Sequence, residues 1–417
     1  MLFSLKLCMV MEIMSPAGSF ESLVAAINSG ADSVYFGVEQ LNMRSRSANF
    51  VIEDLDKIVK ICKDNSVKSY LTVNTIIYDN DFNLMKSICD KAKASGVSAV
   101  IAFDIAVIQY ARSIDLNVHC STQLNISNIE AVKFFSQYSD VIVLARELTL
   151  KQIKSICQEI KKQNICGPSD DLVKIEVFCH GALCVAISGK CYMSLATFNA
   201  SANRGACLQN CRRSYRVIDE ETGDELVIDN KYVMSPQDLC TIGMLDLLSD
   251  AGVSVLKIEG RARAPEYVST VTRVYKEAIN SLNNNSYNKE NIERWTKLLE
   301  SVYNRGFWHG GYYLGKKLGE WGGVYGSKAS KEKFLVGKVK NYFSNVNVAE
   351  IIIDSGEVMK DNELLIIGPT TGVVELKAEK IFNNDKEVSN AVKGSDITIK
   401  VPNVVRKNDQ VYVLRSK

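Results

Sequence analysis

The sequence lacks several features that would assign it to a common class of protein. It contains no run of about 18 apolar residues, so it predicts no transmembrane helix. The first ten residues, MLFSLKLCMV, are apolar but have neither the charged start nor the small-residue cleavage site of a signal peptide. We therefore expect a cytoplasmic protein.

An excess of one charge is missing as well. The chain has 50 basic and 48 acidic residues, which leaves a formal net charge of +2. This balance provides no overall attraction to nucleic acid or to a membrane surface. Any contact with RNA would have to come from a local basic patch.

Motifs of the familiar hydrolases are also absent. The sequence has no H-E-x-x-H and no G-x-S-x-G, and only three histidines: His119, His180 and His309. The crowded region around His180 combines Cys with His, but its cysteines are better used as metal ligands than as nucleophiles. A peptidase mechanism has little support from the residues and is kept as an alternative.

Cysteine, in contrast, is abundant, with 12 residues. In the cytoplasm, cysteines are free thiols or metal ligands rather than a disulfide framework. Four of them have the spacing C-x6-C-x15-C-x3-C: Cys184, Cys191, Cys207 and Cys211. Four thiolates suit a 4Fe-4S cluster or a structural zinc ion, and the lack of C-x2-C pairs favours the cluster. Thiols without metal are a third interpretation, and Cys179 and Cys240 are reserve ligands.

The surrounding sequence resembles a known family. Glu176-Val-Phe-Cys-His-Gly-Ala-Leu-Cys184 and Gly189-Lys-Cys-Tyr-Met-Ser194 resemble the signature of the peptidase U32 family, and the segment 203–212 is similar to that family too. The resemblance runs from Met14-Ser-Pro-Ala-Gly18 through Lys257-Ile-Glu-Gly-Arg261 into the C-terminal tail. It therefore covers nearly the whole chain.

The resemblance implies a function. Better understood members of this family are iron-sulfur, prephenate-dependent hydroxylases of RNA and of the ubiquinone ring. The chain is closest in layout to the tRNA branch, which converts the wobble uridine to 5-hydroxyuridine. A 4Fe-4S cluster, prephenate as co-substrate and tRNA as partner are the corresponding expectations. A collagenase-like peptidase and a hydroxylase of another RNA, such as 23S rRNA, are the alternatives.

Eight β-rich runs, each followed by a helical pattern, lie within residues 1–282. They cover 12–14, 33–36, 69–73, 99–103, 117–120, 141–144, 174–178 and 255–258. This alternation predicts a (β/α)8 TIM-like barrel, with a doubly wound open sheet as the alternative. A Cys-rich insertion, residues 179–240, falls between the seventh and eighth runs.

The C-terminal ends of barrel strands form the rim where such enzymes carry out their chemistry. We predict catalytic roles for polar residues that follow the strands: Asn74, Gln123, Glu147, His180 and Glu259. We predict substrate binding by these residues: Arg44, Arg46, Arg146, Glu176 and Arg261. A solvated rim is polar in any case, and His180 could instead be a packed histidine.

The two arginines Arg44 and Arg46 follow the second strand in a segment expected to be extended. Side chains two residues apart in such a segment project from the same side. Two guanidinium groups could hold a dicarboxylate such as prephenate, or equally an RNA phosphate. Two solvated loop arginines are the alternative.

The remainder of the chain predicts two further parts. Residues 283–333 are expected to form a linker that is rich in aromatic residues and glycine. From 334 to 417, short alternating strands separated by turns predict a small β-barrel, which resembles the second domain of translation elongation factors. Lysines near its start form a modest basic patch that could contact RNA phosphates.

Overall fold

The structure is a computed structural model that describes residues 11–47, 49–226, 234–315, 321–324 and 326–417. The apolar first ten residues, and residues 316–320 and 325 of the aromatic and glycine-rich segment, lie outside the described residues. No helix in the described ranges is long and apolar enough to cross a membrane.

The N-terminal part alternates strands with helices. In chain order these are β1 (Glu12–Pro16), α1 (Phe20–Asn28), β2 (Ser33–Phe36), α2 (Leu55–Asp64), β3 (Lys68–Val73), α3 (Phe82–Ser95), β4 (Ala99–Ala102), α4 (Ile105–Ser113), β5 (Val118–Cys120), α5 (Ile129–Ser136), β6 (Val141–Val143), α6 (Leu150–Lys162) and β7 (Lys174–Gly181). The chain continues through α7 (Met193–Phe198), β8 (Val217–Ile218), β9 (Glu225–Leu226), β10 (Asp238–Cys240), α8 (Leu245–Ala251), β11 (Val255–Ile258), α9 (Pro265–Asn283), α10 (Lys289–Glu300) and β12 (Phe307–His309).

Strands β1 to β7 and β11 form a closed parallel barrel. Neighbouring strands pair in parallel from β1 to β7, and β11 pairs with both β7 and β1. Val255 of β11 lies opposite Glu176 on one side and Glu12 on the other, which closes the cylinder. The predicted barrel is confirmed, and the open sheet is excluded.

The barrel has two apolar layers because side chains alternate along each strand. One layer fills the space between strands and helices, as when Leu55, Ile58 and Cys62 of α2 are buried at the helical period. The other lies inside the barrel and includes Tyr35 and Tyr70. Polar side chains also lie in the barrel interior, and some of them reach the rim.

The C-terminal part is an antiparallel β-domain. Its strands are β13 (Lys331–Phe343), β14 (Val348–Ile353), β15 (Glu357–Met359), β16 (Glu363–Gly368), β17 (Gly372–Lys377), β18 (Ile381–Asn383), β19 (Lys386–Val388), β20 (Asn390–Val392), β21 (Asp396–Lys400) and β22 (Gln410–Ser416). Eight pair in the order β17-β16-β22-β13-β14-β21-β18-β19, while β15 pairs with β20. One apolar core lies between them, as expected for a small barrel-like domain.

The segment expected to be a linker, residues 283–333, contains regular structure instead. It carries α10 and β12, and β12 pairs with β10 of the insertion. Trp295 and Leu299 on α10 and Trp308 on β12 are buried in the core of the barrel domain. The polar run that ends α9 separates two packed helices rather than two domains.

The β-domain packs against the barrel through α1 and α9. Asn28 donates a hydrogen bond to the carbonyl oxygen of Thr371 at 3.3 Å. Lys333 on β13 forms an ion pair of 2.9 Å with Glu266 on α9. These contacts place the β-domain against the helices on the outside of the barrel.

Candidate active site at the strand ends

The Cys-rich insertion crosses the rim of the barrel and encloses a cavity with it. The cavity measures about 180 Å³ and is named the inner cavity below. Four of its lining residues are the predicted ligands: Cys184, Cys191, Cys207 and Cys211. The spacing pattern read from the sequence thus corresponds to one location in space.

The electrostatic surroundings of Cys211 include the other three thiols of the set. Burial raises the pKa of Cys211, the charge of Arg212 opposes this rise, and the other three thiols of the set add to it. Within the described ranges, however, no three His, Cys, Asp or Glu side chains form a group compact enough for a metal ion. The sulfur atoms share a cavity without being drawn together as around a single ion. Four soft donors in one cavity fit an iron-sulfur cluster in their chemistry.

Two arginines hold the insertion in place: Arg212 connects parts of the insertion to one another, and Arg204 connects it to the barrel. Arg212 donates to Ser235 Oγ at 2.9 Å, to the carbonyl oxygen of Pro236 at 2.8 Å and to that of Leu183 at 2.6 Å. Arg204 forms an ion pair with Asp81 next to α3. The backbone around the cysteines is therefore held by side-chain contacts rather than by long helices or strands.

Cys179 and Cys240, the reserve ligands, lie behind the inner cavity rather than on it. Both are buried, and burial raises the pKa of Cys240 to about 12. Tyr275 donates to the Cys240 sulfur at 4.0 Å, and the Cys179 thiol lies 3.4 Å from the carbonyl oxygen of Lys257. Their surroundings are those of packed thiols.

Arg44 and Glu259 meet inside the cavity. Arg44 Nη2 donates to Glu259 Oε1 at 2.9 Å, and the Glu259 side chain is 13% exposed. Burial alone would raise the pKa of Glu259, but Arg44 and Arg263 outweigh it and lower this pKa to about 2. Since a general base works best with a pKa near the working pH, the arrangement suits charge positioning better than proton transfer.

The expected arginine clamp takes a different form. Residues 41–47 form turns rather than an extended segment, with Ser47 N bonded to the Arg44 carbonyl oxygen at 2.9 Å. Arg44 points into the inner cavity, whereas Arg46 is exposed and lines only a neighbouring one. The two guanidinium groups therefore do not act as a pair within the inner cavity.

Arg261, predicted to bind substrate, supports the loop that carries Arg44. It donates to Thr72 Oγ1 and to Asn42 Oδ1, both at 2.6 Å, and burial lowers its pKa to about 10. Asn42 Oδ1 also accepts from the backbone N–H of Arg44 at 2.9 Å. Arg261 lines the inner cavity, but one N–H of each terminal nitrogen is engaged in supporting the loop.

The predicted amides both lie on the inner cavity. Asn74 and Gln123 line it, and Asn74 Nδ2 lies 3.5 Å from Gln123 Oε1. Asn74 Oδ1 also accepts from the N–H of Met43 at 3.2 Å. Because an amide side chain offers both a donor and an acceptor, this pair can bond the edge of a flat polar ring.

The two predicted residues that follow β6, Arg146 and Glu147, line different cavities. The guanidinium of Arg146 lies 3.9 Å over the ring of Phe178 and lines the inner cavity. Its Nε is buried and has no hydrogen-bond partner among the described residues. Glu147 is exposed and lines a different cavity of about 210 Å³, which also contacts Cys184.

Glu176 lies below the cavity rather than on it. It forms a 2.7 Å ion pair with Lys257, and the two side chains are 0% and 7% exposed. Burial raises the pKa of Glu176, and Lys257 opposes this rise. Lys257, not singled out from the sequence as a site residue, lines the inner cavity, as do Arg263 and Arg305.

His180 lies outside the inner cavity. Its ring is surrounded by Tyr267, Tyr275 and Phe307 at centroid distances of 6.0, 5.5 and 5.4 Å. Burial lowers its pKa to about 3. This position agrees with the packed histidine that was the alternative to a catalytic role.

A family model described as peptidase family U32 matches residues 18–322. The chain belongs to this family. The expectation drawn from the motifs around Cys184 and Cys191 is therefore confirmed.

Relatives within the U32 family carry names of two kinds. A protein named collagenase from Porphyromonas gingivalis is 56% identical over 402 residues, which cover 96% of this chain and 97% of that protein. The tRNA hydroxylation protein P of Helicobacter pylori is 30% identical over 311 residues, 72% of this chain and 71% of that one. An Escherichia coli 23S rRNA 5-hydroxycytidine synthase is 34% identical over 273 residues, 65% of this chain and 40% of that one.

Proposed function

We propose that the chain is a cytoplasmic RNA hydroxylase that converts the wobble uridine of tRNA to 5-hydroxyuridine with prephenate as hydroxyl donor. The names of two relatives, which describe hydroxylation of tRNA and synthesis of a hydroxylated rRNA base, support this class of activity. One structural observation carries the proposal: the four cysteines and the polar strand ends line the same inner cavity.

The cysteines Cys184, Cys191, Cys207 and Cys211 would hold a 4Fe-4S cluster. Such a cluster, when bound, supplies redox chemistry next to the substrate. The protein residues provide binding and orientation around it. Arg44 holds Glu259 in the ionised form, so that the cavity keeps one fixed negative charge among several positive ones.

The remaining positive groups suit an anionic co-substrate. Arg146 has a buried Nε without a hydrogen-bond partner among the described residues, and the ammonium group of Lys257, which also pairs with Glu176 below, lies on the same cavity. Prephenate carries two carboxylates, which pair well with a guanidinium and an ammonium group. Asn74 and Gln123 would contact the uracil ring, whose edge presents both carbonyl and N–H groups.

Protein purified without oxygen, incubated with unmodified tRNA, tests the proposal. Nucleoside mass spectrometry should show 5-hydroxyuridine only when prephenate is present, and Cys191→Ser should abolish it. Cys166→Ser is the matched control, since Cys166 is equally half-buried and lies outside the set of four. Absence of any hydroxylated nucleoside, in tRNA and in total RNA, would refute the proposed activity.

Peptidase activity is the second candidate because the relative that is 56% identical bears the name collagenase. None of the three histidines lines the inner cavity: the His119 ring packs at a tilt against Tyr70 inside the barrel with a centroid distance of 4.4 Å, His180 is packed behind the rim and His309 lies on β12. The same purified protein incubated with denatured collagen provides the comparison. Release of peptides that is lost in a cavity variant, without RNA modification, would favour this candidate.

A further inference from the structure

A second, larger cavity adjoins the inner one. It measures about 590 Å³ and is named the outer cavity. Arg44, Cys207 and Arg212 line both cavities, so the two lie side by side next to one of the predicted cluster ligands. A substrate that reaches the inner cavity from this side passes through the outer one.

The outer cavity has a strongly positive lining. None of the described residues that line it carries a carboxylate, and five of them are arginines: Arg44, Arg46, Arg212, Arg213 and Arg305. The whole chain has a net charge of only +2, so this concentration of charge is local. It is a basic patch of the kind that an evenly charged protein needs in order to bind a polyanion.

Three of these arginines already have partners. Arg44 pairs with Glu259, Arg212 bonds to backbone carbonyl groups, and Arg305 lies 3.4 Å from Asp238. Their charge adds to the potential of the cavity, but their hydrogen-bond donors are largely committed. These three arginines stabilise the segments that line the outer cavity.

Arg46 and Arg213 differ from the other three. Both side chains are exposed, and neither forms an ion pair or a side-chain hydrogen bond with a residue that the structure describes. The guanidinium carbon of Arg213 lies 4.9 Å over the ring of Phe198, and its side-chain N–H groups have no hydrogen-bond partner among the described residues. Two guanidinium groups without a hydrogen-bond or ion-pair partner in the described part of the chain thus face the outer cavity from different segments, the loop after β2 and the insertion.

We propose that the outer cavity binds the phosphodiester backbone of the RNA strand next to the base in the inner cavity, with Arg46 and Arg213 as the phosphate contacts. The inference rests on the proposed RNA activity. An enzyme that modifies a base must take it out of the stack, so the flanking phosphates lie at the entrance of the reaction cavity. Guanidinium groups bind phosphate oxygens in bidentate fashion.

The test compares Arg46→Ala, Arg213→Ala and the double variant with the wild type. Binding of an unmodified tRNA transcript is followed by fluorescence anisotropy over a series of salt concentrations. The double variant should bind about tenfold to a hundredfold more weakly, and its salt slope should fall by about two. Arg112→Ala is the control, because the last turn of α4 lies at the opposite end of the barrel.

A synthetic anticodon stem-loop with neutral methylphosphonate linkages on either side of the target uridine locates the contact. These linkages should weaken binding to the wild type and cause no further loss in the double variant. Circular dichroism and visible absorbance identical to the wild type show that the variants are folded and loaded.

The outcomes separate the two proposals. If the wild type hydroxylates tRNA while the double variant keeps its affinity and salt slope, the phosphate site is refuted and the activity stands. The double variant could instead bind RNA more weakly while the methylphosphonate linkages reduce its affinity as much as they reduce that of the wild type. The arginines would then act elsewhere than at these phosphates, which also overturns the site. If the wild type neither binds nor modifies RNA, both proposals fail.

Discussion

Arg44 and Glu259 form an ion pair of 2.9 Å between positions that are 215 residues apart in the chain. The pair connects the loop after β2 with the end of β11 on the rim of the barrel. Because Glu259 is nearly buried, its charge depends on this contact for stabilisation. The contact therefore stabilises the fold and also fixes two charged groups in the inner cavity.

Breaking this pair should destabilise the protein. Arg44→Met leaves Glu259 largely buried without its main partner, and we expect a loss of about 3 kcal/mol in the free energy of unfolding. The double variant Arg44→Met/Glu259→Gln should recover part of that loss, since it removes the isolated charge as well. Urea denaturation of all four members of the cycle measures the coupling. Additive effects would show that the contact contributes nothing.

Acid should weaken the same contact. The pKa of Glu259 is about 2 in the folded protein against an ordinary value of 4.5. A lowered carboxyl pKa contributes stability above the ordinary value, and this contribution disappears as the pH falls from about 4.5 towards about 2. Glu259→Gln should have a smaller loss of stability over this range than the wild type. An equal loss in both proteins would contradict this origin.

His180 should prove to be a packing residue. We expect His180→Gln to lower the melting temperature by several degrees, because it disturbs the contacts with Tyr267, Tyr275 and Phe307. Turnover per folded molecule should remain within about twofold of the wild type, since general acid-base catalysis contributes about a hundredfold or more. A loss of a hundredfold in turnover with unchanged stability would restore a catalytic role.

The pH dependence provides a second readout for His180. Burial holds its pKa at about 3, well below the ordinary 6.5. The unfolded chain therefore binds a proton between these values that the folded chain does not, and stability falls as the pH drops from about 6.5 to about 3. In His180→Gln the unfolded chain no longer binds this extra proton, so its stability should fall less over the same pH range. Unfolding free energies measured along the range would detect the difference.

The sequence predicted the elements that depend on local pattern. All eight barrel strands were located, and the spacing of Cys184, Cys191, Cys207 and Cys211 indicated residues that share a cavity. Contacts across the barrel could not be predicted in the same way. The partner of Arg44 follows a strand that lies 215 residues further along the chain, and no local period relates the two.

His180 shows a second limit of prediction. Strict alternation along β7 would place His180 on the same face as Glu176 and Phe178, inside the barrel. The pairing with β11 shifts register between Lys257 and Ile258, and an irregularity of this kind turns the following side chain to the other face. The ring consequently packs against Tyr275 of α9. No signal in a single sequence marks such a shift.

Replacement of the predicted ligands should separate them from the reserve cysteines. Cys184→Ser should lose the visible absorbance of an iron-sulfur protein, together with its iron and sulfide content. Cys240→Ser should keep both, because Cys240 is buried behind the inner cavity and bonded by Tyr275. Loss of absorbance in Cys240→Ser at unchanged stability would show instead that Cys240 is a cluster ligand.

Arg146 should bind the anionic co-substrate. Its buried Nε has no partner among the described residues, and its guanidinium carbon lies 3.9 Å over the ring of Phe178. Arg146→Gln should raise the KM for prephenate about tenfold to a hundredfold with a smaller change in kcat. Arg406→Ala, an exposed arginine of the β-domain, is the control. An unchanged KM would remove Arg146 from the binding site.

Gly205 should be essential for holding the insertion against the barrel. Its φ is +82°, and a Cβ atom there would lie 2.2 Å from the carbonyl oxygen of Asn42 and 2.7 Å from Ser45 Oγ. Asn42 in turn positions Arg44 and Arg261, so a methyl group at residue 205 would push this loop away from Cys207.

Gly223→Ala separates steric clash from backbone strain in this prediction. Gly223 has a similar φ of +75°, and a Cβ atom there meets no atom of the residues that the structure describes within 4 Å. Its replacement should therefore cost only the left-handed strain of about 1 kcal/mol and leave the iron content unchanged. Gly205→Ala should cost more and lower the iron bound per chain, since the clash displaces the segment that carries Cys207. Equal losses in both variants would mean that the close approach of Gly205 to Asn42 does not hold the insertion in place.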